Sequence, residues 1–175
     1  MATGPTNLGF LTVMQENGGY FGGYLVTNVW GRPLEFRLTS AVQPNRVQQV
    51  LYAATLVPYI CGELIGKALV DKAGVPVQLV MTTCEHALDL RLRLEVPVAW
   101  LAPPDDARAS GPLAVPLPSR RGALVCHARH PGDAAAVREL VERLDGSLDL
   151  SEPFARVREA VAEARKMGVT GPRAA

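Results

Sequence analysis

Side chains able to do chemistry gather at two places in this chain. All three histidines and two of the three cysteines fall in the short runs CEH (Cys84, His86) and CHARH (Cys126, His127, His130). Thiolate sulfur and imidazole nitrogen are the ligands that tetrahedral zinc takes. Each run follows an apolar, strand-like segment. If those strands lie parallel in one sheet, both runs reach its carboxyl edge, where open α/β sheets place their sites. Cys84, His86, Cys126 and His130 are therefore the candidate ligands of a small zinc site. The plainer reading is that the cysteines are small buried hydrophobes and the histidines ordinary loop residues, with no cofactor, because the spacing matches no zinc ribbon or finger. A nucleophilic pair, Cys126 with His86 or His127, is a further candidate and requires a lowered thiol pKa.

The elements that must position these residues show as alternation and helical spacing. LGFLTVMQ, residues 8 to 15, predicts a strand running into the turn ENGG; GGYLVTN predicts a second and PLEFRLT a third, with NVWGRP between them. In the third, Leu34, Phe36 and Leu38 alternate with Glu35, Arg37 and Thr39, so Glu35 and Arg37 share the polar face of a half-buried hairpin. The glycine-rich GGYFGG reads as a turn or bulge in this meander. Pro44 suits a helix start, and Val47, Val50, Leu51 and Ala54 form a helical stripe; Pro58 should kink or split the run. A second helix then carries Ile60, Leu64, Ile65, Ala68 and Leu69, with Glu63, Lys67 and Asp71 on its solvated side.

VPVQLVMTT reads as a central strand buried on both faces, CEHALDLRLRLE as a short helix and VPVAWL as another strand, together a βαβ unit closing a parallel pair. Residues 102 to 121 are rich in Pro, Ala, Ser and charge and read as a functional loop or mobile linker. GALVCHARH is a last strand. Residues 133 to 168 form a helical pair, the second helix capped by Ser151 with Pro153 in its first turn. Phe154, Val157, Val161, Ala164 and Met167 share one face of it, to pack on the sheet or, alternatively, to enter a partner's groove. The expected fold is one α/β domain over residues 1 to 175: a mixed sheet with an N-terminal antiparallel meander, a βαβ unit and flanking helices.

This order of elements resembles the ribonuclease-H-like fold over roughly residues 8 to 101. In that family a carboxylate on the first strand, a glutamate on the first long helix and an aspartate after the fourth strand hold two divalent cations that clamp a phosphodiester. The resemblance places Glu63, in GELIGKAL, at the helix position. It leaves Glu16 as the carboxylate of the first strand, and after the fourth strand it puts Cys84 at the aspartate position with Glu85 beside it. A divalent-metal hydrolase or nuclease using Glu16, Glu63 and Glu85 is what this resemblance implies. Profilin-like and longin-like sheets also open with a meander and a long helix.

Composition restricts the function classes further. Lys plus Arg exceeds Asp plus Glu by one, so net charge does not indicate nucleic acid. No unbroken apolar run approaches the roughly 20 residues of a membrane span. Three cysteines are not a disulfide framework, and a reducing cytoplasm is expected. GxxxxGK[ST], GxSxG and HExxH do not occur. The leading expectation is thus a non-enzymatic cytoplasmic interaction or regulatory subunit of a larger assembly, bound to another protein or to its own copies and not to a membrane. Its contact surface would be the aromatic hairpin (Tyr20, Phe21, Tyr24, Trp30) with the 102–121 loop. The nuclease and the zinc-binding domain are the alternatives.

Overall fold

The computed structural model describes residues 4–118 and 122–168. Its seven strands form one mixed sheet in the order β3-β2-β1-β4-β5-β7-β6. The strands are β1 (Asn7–Glu16), β2 (Gly19–Asn28), β3 (Pro33–Leu38), β4 (Leu79–Thr82), β5 (Val98–Ala102), β6 (Ala114–Pro116) and β7 (Ala123–Cys126). The first three make the expected meander. Asn17 and Gly18 both have positive φ, the two-residue turn whose twist matches a tight hairpin. β4 and β5 continue parallel from β1, β7 is antiparallel to β5, and β6 is antiparallel to β7. The α/β class and the mixed sheet with flanking helices stand as read from the sequence.

Alternation along the strands sorts side chains onto two faces. Leu8, Phe10, Leu79 and Met81 point to one core, which α3 (Asp133–Arg143) and α4 (Glu152–Lys166) cover. Phe154 of α4 meets Phe10 edge-on, with ring centroids 5.3 Å apart. Val157 and Val161 lie beside it fully buried, so α4 packs on its own sheet rather than waiting for a partner. Leu11, Tyr24, Val26 and Val80 point to the other core, under the helical run that follows β3.

That run starts at α1 (Arg46–Tyr52), where the Asn45 side chain accepts from Gln48 N–H and the Gln48 side chain accepts from Asn45 N–H, a capping box. The chain breaks at Ala53, whose φ is 47°, and resumes as α2, residues 56–72. The expected break at Pro58 is therefore found five residues earlier. Pro58 falls in the first turn of α2, where its missing N–H costs little. From Tyr59 to Lys67 the helix is π-wound. Its face of Ile60, Cys61, Ile65 and Leu69 is buried on the sheet. The stripe on α1 is not: Val47, Val50 and Leu51 are all exposed. By length and composition Arg46–Lys72 is apolar enough to cross a bilayer, a property that a search for unbroken apolar runs passes over. Its second half instead forms the core layer described here.

The β4–β5 crossover is helical, as a βαβ unit requires, but it is a 3₁₀ connector, Glu85–Arg93. Three residues per turn put Ala87 and Leu90 on one line, and both are buried against α2 and the sheet. The 102–121 stretch holds a 3₁₀ turn (Ala107–Ser110) and the edge strand β6, so among the described residues it is not a structureless loop. β3 does not bury its apolar face as expected, since Leu34 and Phe36 are exposed; Glu35 and Arg37 on the other face share an ion pair at 2.8 Å and are the more covered. Glu35 also accepts from the backbone N–H groups of Gly74 and Val75, tying β3 to the end of α2. Burial raises the Glu35 pKa, but these donors and Arg37 outweigh it and hold the carboxyl below its ordinary value.

GGYFGG is not a turn or bulge throughout. Gly22 and Gly23 lie inside β2 and face opposite layers. A Cβ on Gly22 would meet Ile65 of α2 at 2.3 Å, and one on Gly23 would meet Val157 and Val161 of α4 at 2.7 Å. We expect Gly23→Ala to lower the unfolding free energy by about 1–3 kcal/mol through overpacking. Gly74→Ala, with no neighbour within 4 Å, should change it far less in the same denaturant titration.

Candidate functional site

The 3₁₀ connector lies along the wall of a cleft of about 310 Å³. Trp100 of β5 lines it, and the Arg108 guanidinium covers that indole at 4.4 Å from the ring centroid. Arg108 is held there by Asp106 at 2.8 Å and by Glu85 at 2.7 Å. The Arg108 hydrogen bonds hold the Asp106 carboxyl down to about 2. Leu88, Leu113 and Val125 supply the apolar lining. At the far end His127 Nδ1 accepts from Arg129 N–H at 3.1 Å, which leaves the proton on Nε2, facing Asp89 Oδ1 at 3.2 Å. Both ring nitrogens are thus engaged.

Asp89 also lines a second recess of about 310 Å³ with Tyr52, Tyr59 and Glu63, so the two adjoin. Tyr52 and Tyr59 stack with ring centroids 4.5 Å apart and planes 19° from parallel. Glu63 is paired with Arg93 at 2.6 Å. Arg91 anchors the connector from behind: its Nε donates to Asp133 Oδ2 at 2.6 Å and its NH1 donates to Leu94 O at 2.6 Å, in surroundings where both side chains are mostly buried.

The sequence candidates fall out differently. β7 runs antiparallel to β5, with Cys126 opposite Ala99, so CHARH leaves the edge of the sheet opposite to that at which CEH follows β4. Glu85 of one run and His127 of the other reach the same cleft, but the four candidate ligands do not gather, and among the described residues no group of three or more His, Cys, Asp or Glu could hold a metal. Cys84, His86, Cys126 and His130 therefore do not form the expected zinc site. Burial, then the Asp133 charge, pushes the Cys126 thiol up to about 11, the reverse of what a nucleophile needs. The aromatic hairpin does not form a surface either. Phe21 and Tyr24 are buried because β2 is covered on both faces; Tyr20 is half-buried, and Trp30 alone of the four is exposed.

Glu16, Glu63 and Glu85 do not converge. Glu16 lies at the hairpin tip, paired with Arg165 at 2.8 Å. β1 pairs the carboxyl end of β4 through Leu11 opposite Thr82, so Leu11 and Thr12 stand where a first-strand carboxylate would face β4. The residue after β4 on that line is Cys84, a thiol that a hard cation does not choose. The donor set at the family's three positions does not fit a pair of divalent cations.

No family model matches this sequence, and no curated protein matches it. Among solved structures, the chain is similar to endonuclease V of Bacillus subtilis, with a TM-score of 0.51 and 11% identity over 93% of this chain and 81% of that one. It is also similar to a variant of endonuclease V from Ciona intestinalis in complex with a 23mer DNA containing an inosine followed by a ribo-adenosine (TM-score 0.49, 10% identity, 93% of this chain and 88% of that one). The likeness is one of fold. Endonuclease V has a ribonuclease-H-like fold, which matches the topological resemblance. It corrects two expectations. The solved proteins that share the fold are nucleases, not interaction subunits. The Ciona protein is seen with DNA, a class of partner that net charge did not indicate for this chain.

The site residues that sequence reasoning missed are Tyr52, Tyr59, Asp89, Trp100 and Arg108. Of these only Arg108 lay in a segment read as functional. Because Arg91 and Asp133 fix the connector that carries Glu85 and Asp89, we expect Arg91→Met or Asp133→Leu alone to cost about 3 kcal/mol, by stranding a mostly buried charge. The double variant should cost less than the sum of the two in denaturant unfolding.

Proposed function

We propose that this chain acts on nucleic acid, holding a single strand along the cleft that runs from Tyr52 and Tyr59, past Asp89, to Trp100 and Arg108. The observation that carries this reading is that Asp89 borders both recesses, which puts a tyrosine stack and an arginine–tryptophan stack beside one channel. Bases stack on aromatic rings and on guanidinium planes whatever their sequence, and arginine adds phosphate contacts. The fold shared with endonuclease V supports the same class of ligand. The cleft's arginines are already paired with carboxylates, as Arg93 is with Glu63 and Arg108 with Glu85. Phosphate must replace those partners, so the salt dependence should correspond to only about one or two phosphates. The cysteines are unpaired, in keeping with a reducing compartment such as the cytoplasm.

A second reading is divalent-cation-dependent hydrolysis of the bound strand. It is favoured by Glu63 and Asp89 lining one recess. One or two carboxylates completed by substrate phosphate and water are a donor set that Mg²⁺ accepts.

The test is fluorescence anisotropy with single-stranded DNA and RNA at low salt, followed by gel analysis with Mg²⁺. Arg108→Ala and Tyr59→Ala should each weaken binding about tenfold. Absence of binding, or full binding by both variants, would remove the cleft as the site. Cleavage that needs Mg²⁺ and is lost in Glu63→Gln and Asp89→Asn would support the second reading, and cleavage that survives both would end it.

A further inference from the structure

Trp100 lines the cleft yet is only 5% exposed, and the Arg108 guanidinium lies across its indole. Arg108 itself stands half in solvent, with its side chain 53% exposed. Side chains alone hold it there. Its Nε and Nη2 donate to the two carboxylate oxygens of Asp106 at 3.0 and 2.8 Å, and Nη2 also reaches Glu85 Oε2 at 2.7 Å. The backbone beneath is tied independently. Asp106 Oδ1 accepts from Arg108 N–H at 2.9 Å, Asp106 O accepts from Ala109 N–H at 3.0 Å, and Arg108 O accepts from Gly111 N–H at 3.1 Å. Arg108 can therefore leave the indole by turning its side chain while the 3₁₀ turn stays in place. Among the described residues its Nη1 makes no hydrogen bond, so an incoming anion finds a free donor before any ion pair is broken.

We propose, with the cleft taken as the nucleic-acid site, that Arg108 is a displaceable cover over Trp100, lifted by a phosphodiester so that the adjoining base takes the guanidinium's place on the indole. In the free protein the tyrosine stack is the open half of the channel and the indole is the closed half. A strand enters at Tyr52 and Tyr59. Its next phosphate meets the Nη1 edge of Arg108 and then takes the place of Glu85 on Nη2, a two-point contact that guanidinium makes well with phosphate.

Two physical terms favour the exchange. Ion pairs as exposed as Arg108 with Glu85 hold their partners weakly, so the straps yield to a phosphate at small cost. A base stacked on an indole gains more than a half-exposed guanidinium does on the same face. An anion without a base gains only the ion pair and leaves the indole bare, so the cover stays closed to it. The device thus selects phosphate and base together.

The test uses the full chain carrying Trp30→Phe, which leaves Trp100 as its single tryptophan, and reads its emission and its quenching by acrylamide. Acrylamide quenching should be weak in the free protein, severalfold stronger in Arg108→Ala, and raised to a lesser degree in Glu85→Gln. Both substituted side chains are substantially exposed, and thermal melts check that each variant folds. A short oligothymidylate should lower the Trp100 emission over the same concentrations that raise its own anisotropy, whereas inorganic phosphate at equal ionic strength should leave the emission unchanged. Acrylamide quenching that stays weak in Arg108→Ala would overturn the proposal, because other groups would then bury the indole. A fall in emission with inorganic phosphate alone would overturn it too, since the cover would then answer to any anion. Strand binding with unchanged Trp100 emission would overturn it while leaving the tyrosine half of the cleft standing. Absence of strand binding would overturn it together with the nucleic-acid reading.

Discussion

Two helical layers close on one step of β2, and the rest of the molecule depends on how near they come. Gly22 lets Ile65 and Leu69 of α2 reach the strand from one side, and Gly23 lets Val157 and Val161 of α4 reach it from the other. Even one methyl group at either position would force a layer outward, and a close-packed interior yields little. The position of α2 then determines what it meets next. Gly62 seats it on the connector, which places Glu63 and Tyr59 beside Asp89. Arg91 and Asp133 hold the connector from the opposite layer. The cleft is therefore built by packing on a rigid sheet rather than by a free loop.

The chemistry of the cleft follows from pairing. Glu63, Glu85, Asp89 and Asp106 each face a cation or an imidazole, and Arg93 and Arg108 each face a carboxylate. Such a lining holds more carboxylates than cations, yet is rich in exchangeable partners. A phosphate or a cation can enter only by taking a partner's place, which costs affinity and adds selectivity. Tyr52 and Tyr59 need no such exchange, whereas Trp100 is buried under Arg108, so stacking on the tyrosines is the contact that this cleft offers most readily. Of the three positions that the ribonuclease-H-like resemblance gives to metal-binding carboxylates, the helix holds Glu63, but the first strand offers leucine and threonine and the residue after β4 is a cysteine. A similar topology thus carries different residues at that place.

Much of the fold was legible. The Asn17–Gly18 turn, the nearly continuous apolar run of VPVQLVMTT and the parallel β4–β5 pair are all local signals, and each appears in the structure. The alternation of PLEFRLT marked a strand but not its buried face, since Leu34 and Phe36 are exposed. The direction of β7 was not legible, because a four-residue apolar strand looks the same in either sense. The zinc site rested on that direction, and its four ligands do not gather. Phe21 and Tyr24 were misread as surface because nothing local says that β2 is covered twice. The pairs Glu16–Arg165, Glu35 with Gly74, and Arg91–Asp133 join residues far apart in the chain, so the role of each charge depends on a partner that periodicity cannot name. Arg108 on Trp100 is hidden for the same reason, since its loop reads only as rich in Pro, Ala and charge.

The most direct measurement is ultraviolet crosslinking of a single-stranded oligonucleotide to the full chain, with the modified peptides mapped by mass spectrometry. Crosslinks on the peptides carrying Tyr52, Tyr59 and Trp100 are the expected result and would place the strand in the cleft. Crosslinks confined to Trp30, the exposed tryptophan at the far end of the hairpin, or no crosslink at low salt, would contradict it.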